Sequence, residues 1–559
     1  MARTVPIDSM EPAYRICSDG RVPLPLGEIS WCAILPRMTA VDSKRRLLWV
    51  LLMALALDAI VAKTMSQTMD EGDHIGYGAK ILRGQPDRNG PYYDSKTPFT
   101  ALNALPRVIA ENIHSFPWIR KQLWSLVRFP SIVFSLIIII LIYTFAAEWY
   151  GPDAGLFAAI LAALAPNLIA HGTLATNDGY LTAGVLASSY CLRRYLLNPS
   201  FRNAAISGFI LALAQLTKPM AVYLYLVTGV FLLLFLLRRG ESRLRLRNLA
   251  VYSAIAALMT IAVFNVAYSF DRSFTKVGAY RFQYAPWEEL RMNPWIENIR
   301  VPIPYPVLQG LDMMVQTNAS GLTWGNIYLL GDLRKITDPD FHGFKSYYLV
   351  VWFFKEAIPI QILFVWGLIS VFSHRRKGFL LNEGLLLATA GVLVVWTSLT
   401  SKAQVGMRHI LPALAIEIVI AAVPFTNFAE ASRRKKTTLA VLLIWLGLST
   451  FSYYPHMIPY MNEWLFDRRL SYRIVADSNI DWGQNMGVVQ KFLKANPDVV
   501  LDPDLPVSRR VLLSADRLVG VAPKDKPPLT WALHLKPTAH VGYAHFLFEI
   551  PASEVVNPN

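Results

Sequence analysis

Cysteine is scarce. Only Cys17, Cys32 and Cys191 occur in 559 residues, with no CxxC pair and no spacing that suits metal ligation. A disulfide framework and a zinc knot are therefore excluded as the basis of the fold. Charge is scarce too: 17% of residues, against 54% hydrophobic and 12% aromatic, too little to cover a soluble enzyme of this length. The composition is that of a membrane protein. Acidic residues are the rarer sign, 39 against 54 Lys and Arg, for a formal net charge of +15. The cations nevertheless come in short bursts between apolar runs rather than along one face, so no nucleic-acid partner is indicated. No internal repeat or low-complexity tract is evident, which weighs against a transporter built from repeated halves. Residues 1–43 lack a long apolar core and a small-residue cleavage site, and we expect a cytoplasmic tail there rather than a removed signal peptide.

Long apolar runs are what the chain has in plenty. Those near 47–65, 129–148, 154–171, 179–197, 203–217, 220–237, 249–268, 347–372, 383–400, 407–425 and 438–455 approach the roughly 20 residues a spanning helix needs, predicting an α-helical polytopic membrane protein of about eleven spans. With the N-terminus inside, the bursts Lys44-Arg45-Arg46, Arg193-Arg194, Arg238 to Arg247, His374 to Lys377 and Arg433 to Lys436 all fall on the cytoplasmic side. The other face then receives two long loops, 66–128 and 269–346, the short turns near 171–178, 217–219 and 399–408, and a tail from 456. We therefore expect a protein of the cytoplasmic (inner) membrane with a tail at 1–43, a membrane domain at 44–455 and an extracytoplasmic domain at 456–559. Interfacial helices are expected within 109–128 and 307–314. The tail reads as a small α/β domain with strands at Val511–Leu513, Thr530–Leu535 and Ala544–Phe548.

Four stretches carry groups that a lipid-facing structure has little use for. The first, Thr68 to Gly78, crowds Asp70, Glu71 and Asp73 beside three glycines. Like charges in a confined cleft raise proton affinity toward what a general base needs; the plain alternative is a solvated loop start. Second are cations on the face that should be poor in them: Lys96, Lys218, Lys402 and Arg408. Lys218 lies in a short turn between apolar spans, where an unpaired charge costs a few kcal/mol. A phosphate would partner several such cations, while each taken alone could also snorkel to the interface. Third, His171 to Gly179 places Asn177 and Asp178 either as helix caps or as ligands for a substrate hydroxyl. The histidines His74, His171 and His409 have no metal spacing and read as polar lining. Fourth, Asp477 to Gln484, with Asn479, Asp481 and Trp482, offers hydrogen-bonding groups and an aromatic face to a sugar, or else forms a tight turn.

Taken in chain order, Asp70-Glu71 after the first span, Lys96-Thr97-Pro98, Thr176-Asn177-Asp178, Leu216-Thr217-Lys218 and Arg408-His409 with Pro412 resemble the polyprenyl-phosphate-sugar-dependent glycosyltransferases of the GT-C fold. The similarity is to the branch holding the protein O-mannosyltransferases and the lipid A aminoarabinose transferase, and it covers most of 47–455. It implies an inverting cell-envelope transferase in which Asp70 is the base on the acceptor hydroxyl or amine and Glu71 supports it. Lys96, Lys218 and Arg408 would hold the phosphate of a polyprenyl-phosphate sugar donor. His74, Asn177, Asp178, His409, Asn479, Asp481 and Trp482 would line the substrates, the acceptor being a lipid, glycan or protein. No cofactor is required on this reading, because the cations replace a divalent metal; the alternative is a cation held jointly by Asp70, Glu71 and Asp178. The rival class is a lipid or sugar transporter or flippase, which would set its charges mid-span.

Overall fold

A computed structural model of the chain describes residues 41–85, 97–113, 116–237, 245–321, 325–373, 378–521 and 527–555; the expected N-terminal tail lies outside them up to residue 40. In hydrocarbon every backbone group must be satisfied within its own segment, which makes apolar runs helical. The runs become α1 (Val41–Thr64), α5 (Phe129–Tyr150), α6 (Pro152–Leu164), α7 (Pro166–Gly172), α8 (Asp178–Leu197), α9 (Phe201–Gln215), α10 (Tyr223–Leu237) and α11 (Leu246–Ala267). They continue as α14 (Tyr347–Lys355), α15 (Ile358–Ser373), α16 (Glu383–Thr400), α17 (Leu411–Ala421) and α18 (Arg433–Phe451).

Among the described residues, six helices are long and apolar enough to cross a membrane. The number rises to 8 if the bent pairs α6 with α7 (64°) and α14 with α15 (114°) each form one span. The expectation of about eleven is thus too high by that criterion. The remaining three segments are helices, but α8 carries Asp178, Arg193 and Arg194, α9 has 15 residues, and α18 opens on Arg433-Arg434-Lys435-Lys436. The polarity of α8 is tolerated because it packs among α5, α9 and α17 inside the bundle, where its polar groups meet protein.

The first long loop folds into α2 (Met69–Leu82), a 3-10 turn at Pro98–Thr100, α3 (Ala101–Glu111) and α4 (Pro117–Ser125), so helix 109–128 is realised as the end of α3 and a separate α4. The second contains α12 (Ala285–Arg291), α13 (Tyr305–Ser320), an antiparallel pair of β1 (Thr275–Lys276) with β2 (Arg300–Val301) that encloses α12, and a short hairpin of β3 (Ile327–Leu329) with β4 (Asp332–Arg334). The expected helix 307–314 is the middle of α13.

The tail forms α19 (Met486–Ala495), α20 (Ala515–Val519) and a sheet of β5 (Val499–Leu501), β6 (Arg510–Ser514), β7 (Ala539–Val541) and β8 (His545–Glu549), in the order β5-β6-β8-β7. Strand periodicity divides its two faces. Val511, Leu513, Phe546 and Phe548 join the main hydrophobic core with Tyr472 and Val475. Leu512, Leu547, Val499 and Val541 meet Val489 of α19 instead. The expected strand Thr530–Leu535 is absent. Thr530–Ala532 is a 3-10 turn, because the buried positions are Leu529 and Ala532, three residues apart, and Pro527-Pro528 and Pro537 bound the segment.

Candidate active site

Site construction starts at the first turn of α2. Thr68 caps the helix, and its backbone N–H donates to Glu71 Oε2 at 2.9 Å. Glu71 is 1% exposed and is gripped by Arg128, whose Nε and Nη2 donate to Oε1 and Oε2 at 2.7 and 2.6 Å. The Ala175 N–H adds a fourth donor at 2.8 Å. Burial alone would raise the Glu71 carboxyl, but Arg128 and the Ala175 and Thr68 amides outweigh it and hold it below the usual range. The other guanidinium N–H groups of Arg128 donate to the carbonyls of Ala62, Met65 and Ser66 at 2.6 to 3.0 Å. One ion pair thereby ties together the end of α1, the start of α2, the start of α5 and the turn before α8.

With Glu71 anchored on that side, Asp70 and His74, one turn apart, face a partly open cavity. Its other walls are Asn177 and Asp178 at the start of α8, Lys218 to Met220 after α9, Met314, Thr317 and Asn318 of α13, Ala403, and Arg408-His409 ahead of α17. Arg408 Nη1 reaches Asp70 Oδ2 at 2.7 Å, and Lys218 Nζ reaches Asp178 Oδ1 at 3.0 Å. The hydroxyl of Thr176 donates to the second oxygen of Asp178 at 3.1 Å. His409 Nδ1 lies 3.3 Å from the Tyr348 hydroxyl. Beside this cavity, and sharing Pro219 with it, runs a largely apolar groove of about 810 Å³ between α9 to α11 and α13, lined by residues such as Leu216, Val222, Phe264, Val307 and Leu311.

The loop 477–487 supports the cavity from behind. The Arg408 guanidinium stacks over the Trp482 ring with its carbon 4.1 Å from the centroid. Met69 N–H donates to Trp482 O (3.1 Å) and Ser66 N–H to Gln484 O (2.8 Å), stitching the loop to the approach of α2. Asn479 accepts from Met407 N–H at 3.1 Å and donates to the Tyr347 hydroxyl at 2.9 Å. Its carbonyl, with those of Ile458 and Tyr460, receives the buried ammonium of Lys355 at 2.6 to 3.0 Å. Gly406, at φ +126°, makes the close approach possible, since a Cβ there would lie 2.6 Å from Ser478 Oγ. Asp481 lies in the same loop, its Oδ2 3.8 Å from His545 Nε2.

The structure brings Asp70, His74, Asn177, Asp178, Lys218, Arg408 and His409 to one cavity. Glu71 lies behind it as a clamp, and Asn479, Asp481 and Trp482 belong to the supporting loop, with none of the four among the cavity's lining residues. Lys96 lies outside the described residues. Asp70, Glu71 and Asp178 do not converge on a cation, because each is paired with a different basic side chain, and the described residues hold no cluster of three or more metal-ligating groups. Sequence reasoning missed the roles of Arg128, Lys355 and the α13 wall. A Lys355-Glu356 pair inside an apolar run was a usable signal, since such charges are rare there. Thr317 and Asn318 carried none.

Among the described residues, six to eight apolar helices and a cavity where an acid faces cations make a polytopic membrane protein, and its similarity to solved structures gives it the GT-C glycosyltransferase fold. Residues 117–268 match the sequence profile of the dolichyl-phosphate-mannose-protein mannosyltransferase family. No curated protein matches the chain. The Pmt1-Pmt2 protein O-mannosyltransferase complex of S. cerevisiae, bound to its sugar donor, is similar in structure with a TM-score of 0.51 at 11% identity, over 76% of this chain and 91% of that one. ArnT of Cupriavidus metallidurans bound to undecaprenyl phosphate aligns over 92% of this chain and 100% of its own at 12% identity, with a TM-score of 0.46.

Proposed function

We propose that the protein transfers a sugar from a polyprenyl-phosphate donor to an acceptor hydroxyl or amine, inverting the anomeric centre, with Asp70 as general base. The observation that carries this reading is that Asp70, Lys218 and Arg408, far apart in sequence, line the same cavity. Asp70 takes the proton from the acceptor as the acceptor attacks the anomeric carbon from the face opposite the phosphate, and the sugar–oxygen bond to phosphate breaks. The charge that develops on the departing phosphate falls to Lys218 and Arg408, in a partly dehydrated site where preplaced cations act strongly. Arg408 then exchanges its contact with Asp70 for one with the phosphate, which leaves the carboxylate available to the acceptor. The neighbouring apolar groove suits the prenyl tail, while His74, Asn177, Asp178 and His409 suit the sugar or acceptor.

The ends of the helices support an orientation. α1 runs from Lys44-Arg45-Arg46 toward α2, and α8 runs from Asp178 to Arg193-Arg194, a length of about 30 Å. The basic bursts are therefore at the end away from the cavity, which supports the reading that the site and the tail lie on the extracytoplasmic side of the inner membrane. A transporter would draw on Asp58, Glu356 and Glu417, which are buried within the spans, but none of them lines the cavity. The deciding experiment supplies purified protein with a labelled polyprenyl-phosphate sugar and compares glycans and glycolipids from cells with and without the protein by mass analysis. Asp70→Asn is expected to lower transfer by roughly 10²- to 10⁴-fold with donor binding retained; undiminished transfer would remove Asp70 from the role of base.

A further inference from the structure

A second cavity, open to the outside, lies on the other side of α2 from Asp70. Its lining changes character with depth. Ala59 and Ala62 of α1 and Phe129 and Ile132 of α5, which lie inside the spans, make an apolar lower wall. The segments beyond the span ends make a mixed upper wall, in which Gln67, Arg107, Gln122 and Ser125 stand among Met65, Ile75, Leu126 and Val127. Lys63 stands in the last turn of α1, at the boundary between the two. An apolar half within the bilayer and a half carrying polar groups at headgroup depth is the layout of an amphiphile.

Charge narrows the class of amphiphile. Three cations line the cavity, Lys63, Arg107 and Arg128, against one carboxylate, Glu71, and that carboxylate is consumed by Arg128. Arg107 is itself paired with Glu111 at 3.3 Å, so a phosphate there joins an existing ion pair rather than meeting a bare cation. Lys63 is exposed and makes no ion pair among the described residues. We infer that this cavity is an interfacial site for an anionic phospholipid, whose phosphate meets Lys63 and Arg107 and whose acyl chains lie along α1 and α5.

The Glu71–Arg128 pair is the wall shared with the clamp that fixes α2, so the lipid would sit against the element that carries Asp70. The site is separate from the proposed donor groove, which lies between α9 to α11 and α13. Its test does not depend on transferase activity, so its failure would leave the proposed reaction standing.

The full-length protein, extracted in mild detergent and stripped of lipid, is offered phosphatidylglycerol, phosphatidylcholine or a polyprenyl phosphate, and retained lipid is read by native mass spectrometry. Phosphatidylglycerol is expected to be retained at least tenfold better than phosphatidylcholine and to persist against an equal concentration of polyprenyl phosphate. Each cation removed should weaken retention by roughly fivefold, the strength of one basic residue at an anionic surface. Lys63→Gln with Arg107→Gln tests both, and Lys63→Glu alone, at an exposed position that no fold contact needs, serves if the double variant melts early. Equal retention of the two phospholipids, retention unchanged in the variants, or displacement by the polyprenyl phosphate would each overturn the assignment.

Discussion

At the residue scale, Glu71 and Asp70 are neighbours with opposite surroundings. Glu71 accepts from two amides and the Arg128 fork in a fully buried setting, whereas Asp70 faces the cavity and Arg408. Glu71→Gln would leave a buried guanidinium without its countercharge, and stability should fall by about 3–5 kcal/mol, read as an early melt of purified protein. In the double variant Glu71→Gln/Arg128→Met the loss should be smaller than the sum of the single losses, because the two residues form one interaction. Asp477, in the loop beneath Arg408, behaves in the opposite sense. Burial raises its carboxyl from 3.8 to about 6, and the nearby charge of Asp70 adds to this, against the Ser478 amide and Arg408. The folded protein therefore holds this proton more tightly than the unfolded chain does. The resulting stabilisation is present at low pH and is lost as pH rises from about 4 through about 6. Melting temperature should fall as pH rises through that window, and Asp477→Asn should flatten the slope. Asn is the apt replacement because residue 477 has φ +60°, a region it tolerates.

At the scale of elements, α2 acts as a partition: its Asp70 and His74 side faces one cavity, and its Glu71, Gly72 and Ile75 side faces the other. It is held against the turn that begins α3 by glycine. A Cβ on Gly78 would lie 2.4 Å from the Thr100 carbonyl oxygen and 2.8 Å from the Ala101 nitrogen, backbone atoms that cannot step aside. Gly76, half a turn away, has nothing within 4 Å. Gly78→Ala should therefore lower both the melting temperature and transfer activity by tilting α2, an overpacking penalty of about 1–3 kcal/mol. Gly76→Ala should raise stability by roughly 0.5–1 kcal/mol through helix propensity, and parallel thermal melts of the two variants check both signs.

At the scale of the molecule, the tail sheet and the helical bundle share a core. Phe546 is fully buried, its ring 5.0 Å from Tyr472, in the cluster that continues into the membrane helices. Phe546→Ala should cost about 3–5 kcal/mol. Because residues 477–487, which support Arg408, lie between that cluster and α2, the whole protein should melt earlier in one transition. An independent early transition of the tail, seen by calorimetry, would contradict a shared core.

Read alone, the sequence was sufficient for the membrane class, for helices in all the apolar runs, for two of the tail strands and for seven of the residues that line the cavity. These follow from composition and local periodicity, and from charges too costly to place near hydrocarbon without a partner. Tertiary structure alone decided that Glu71 clamps while Asp70 faces the cavity, that Arg128 and Lys355 are structural cations, that α13 closes the far wall, and that Leu529 and Ala532 make a turn instead of a strand. Each of those outcomes depends on which distant surface meets a residue, and neither burial nor a hydrogen-bond partner supplied from 57 or 124 positions away leaves a trace in local spacing.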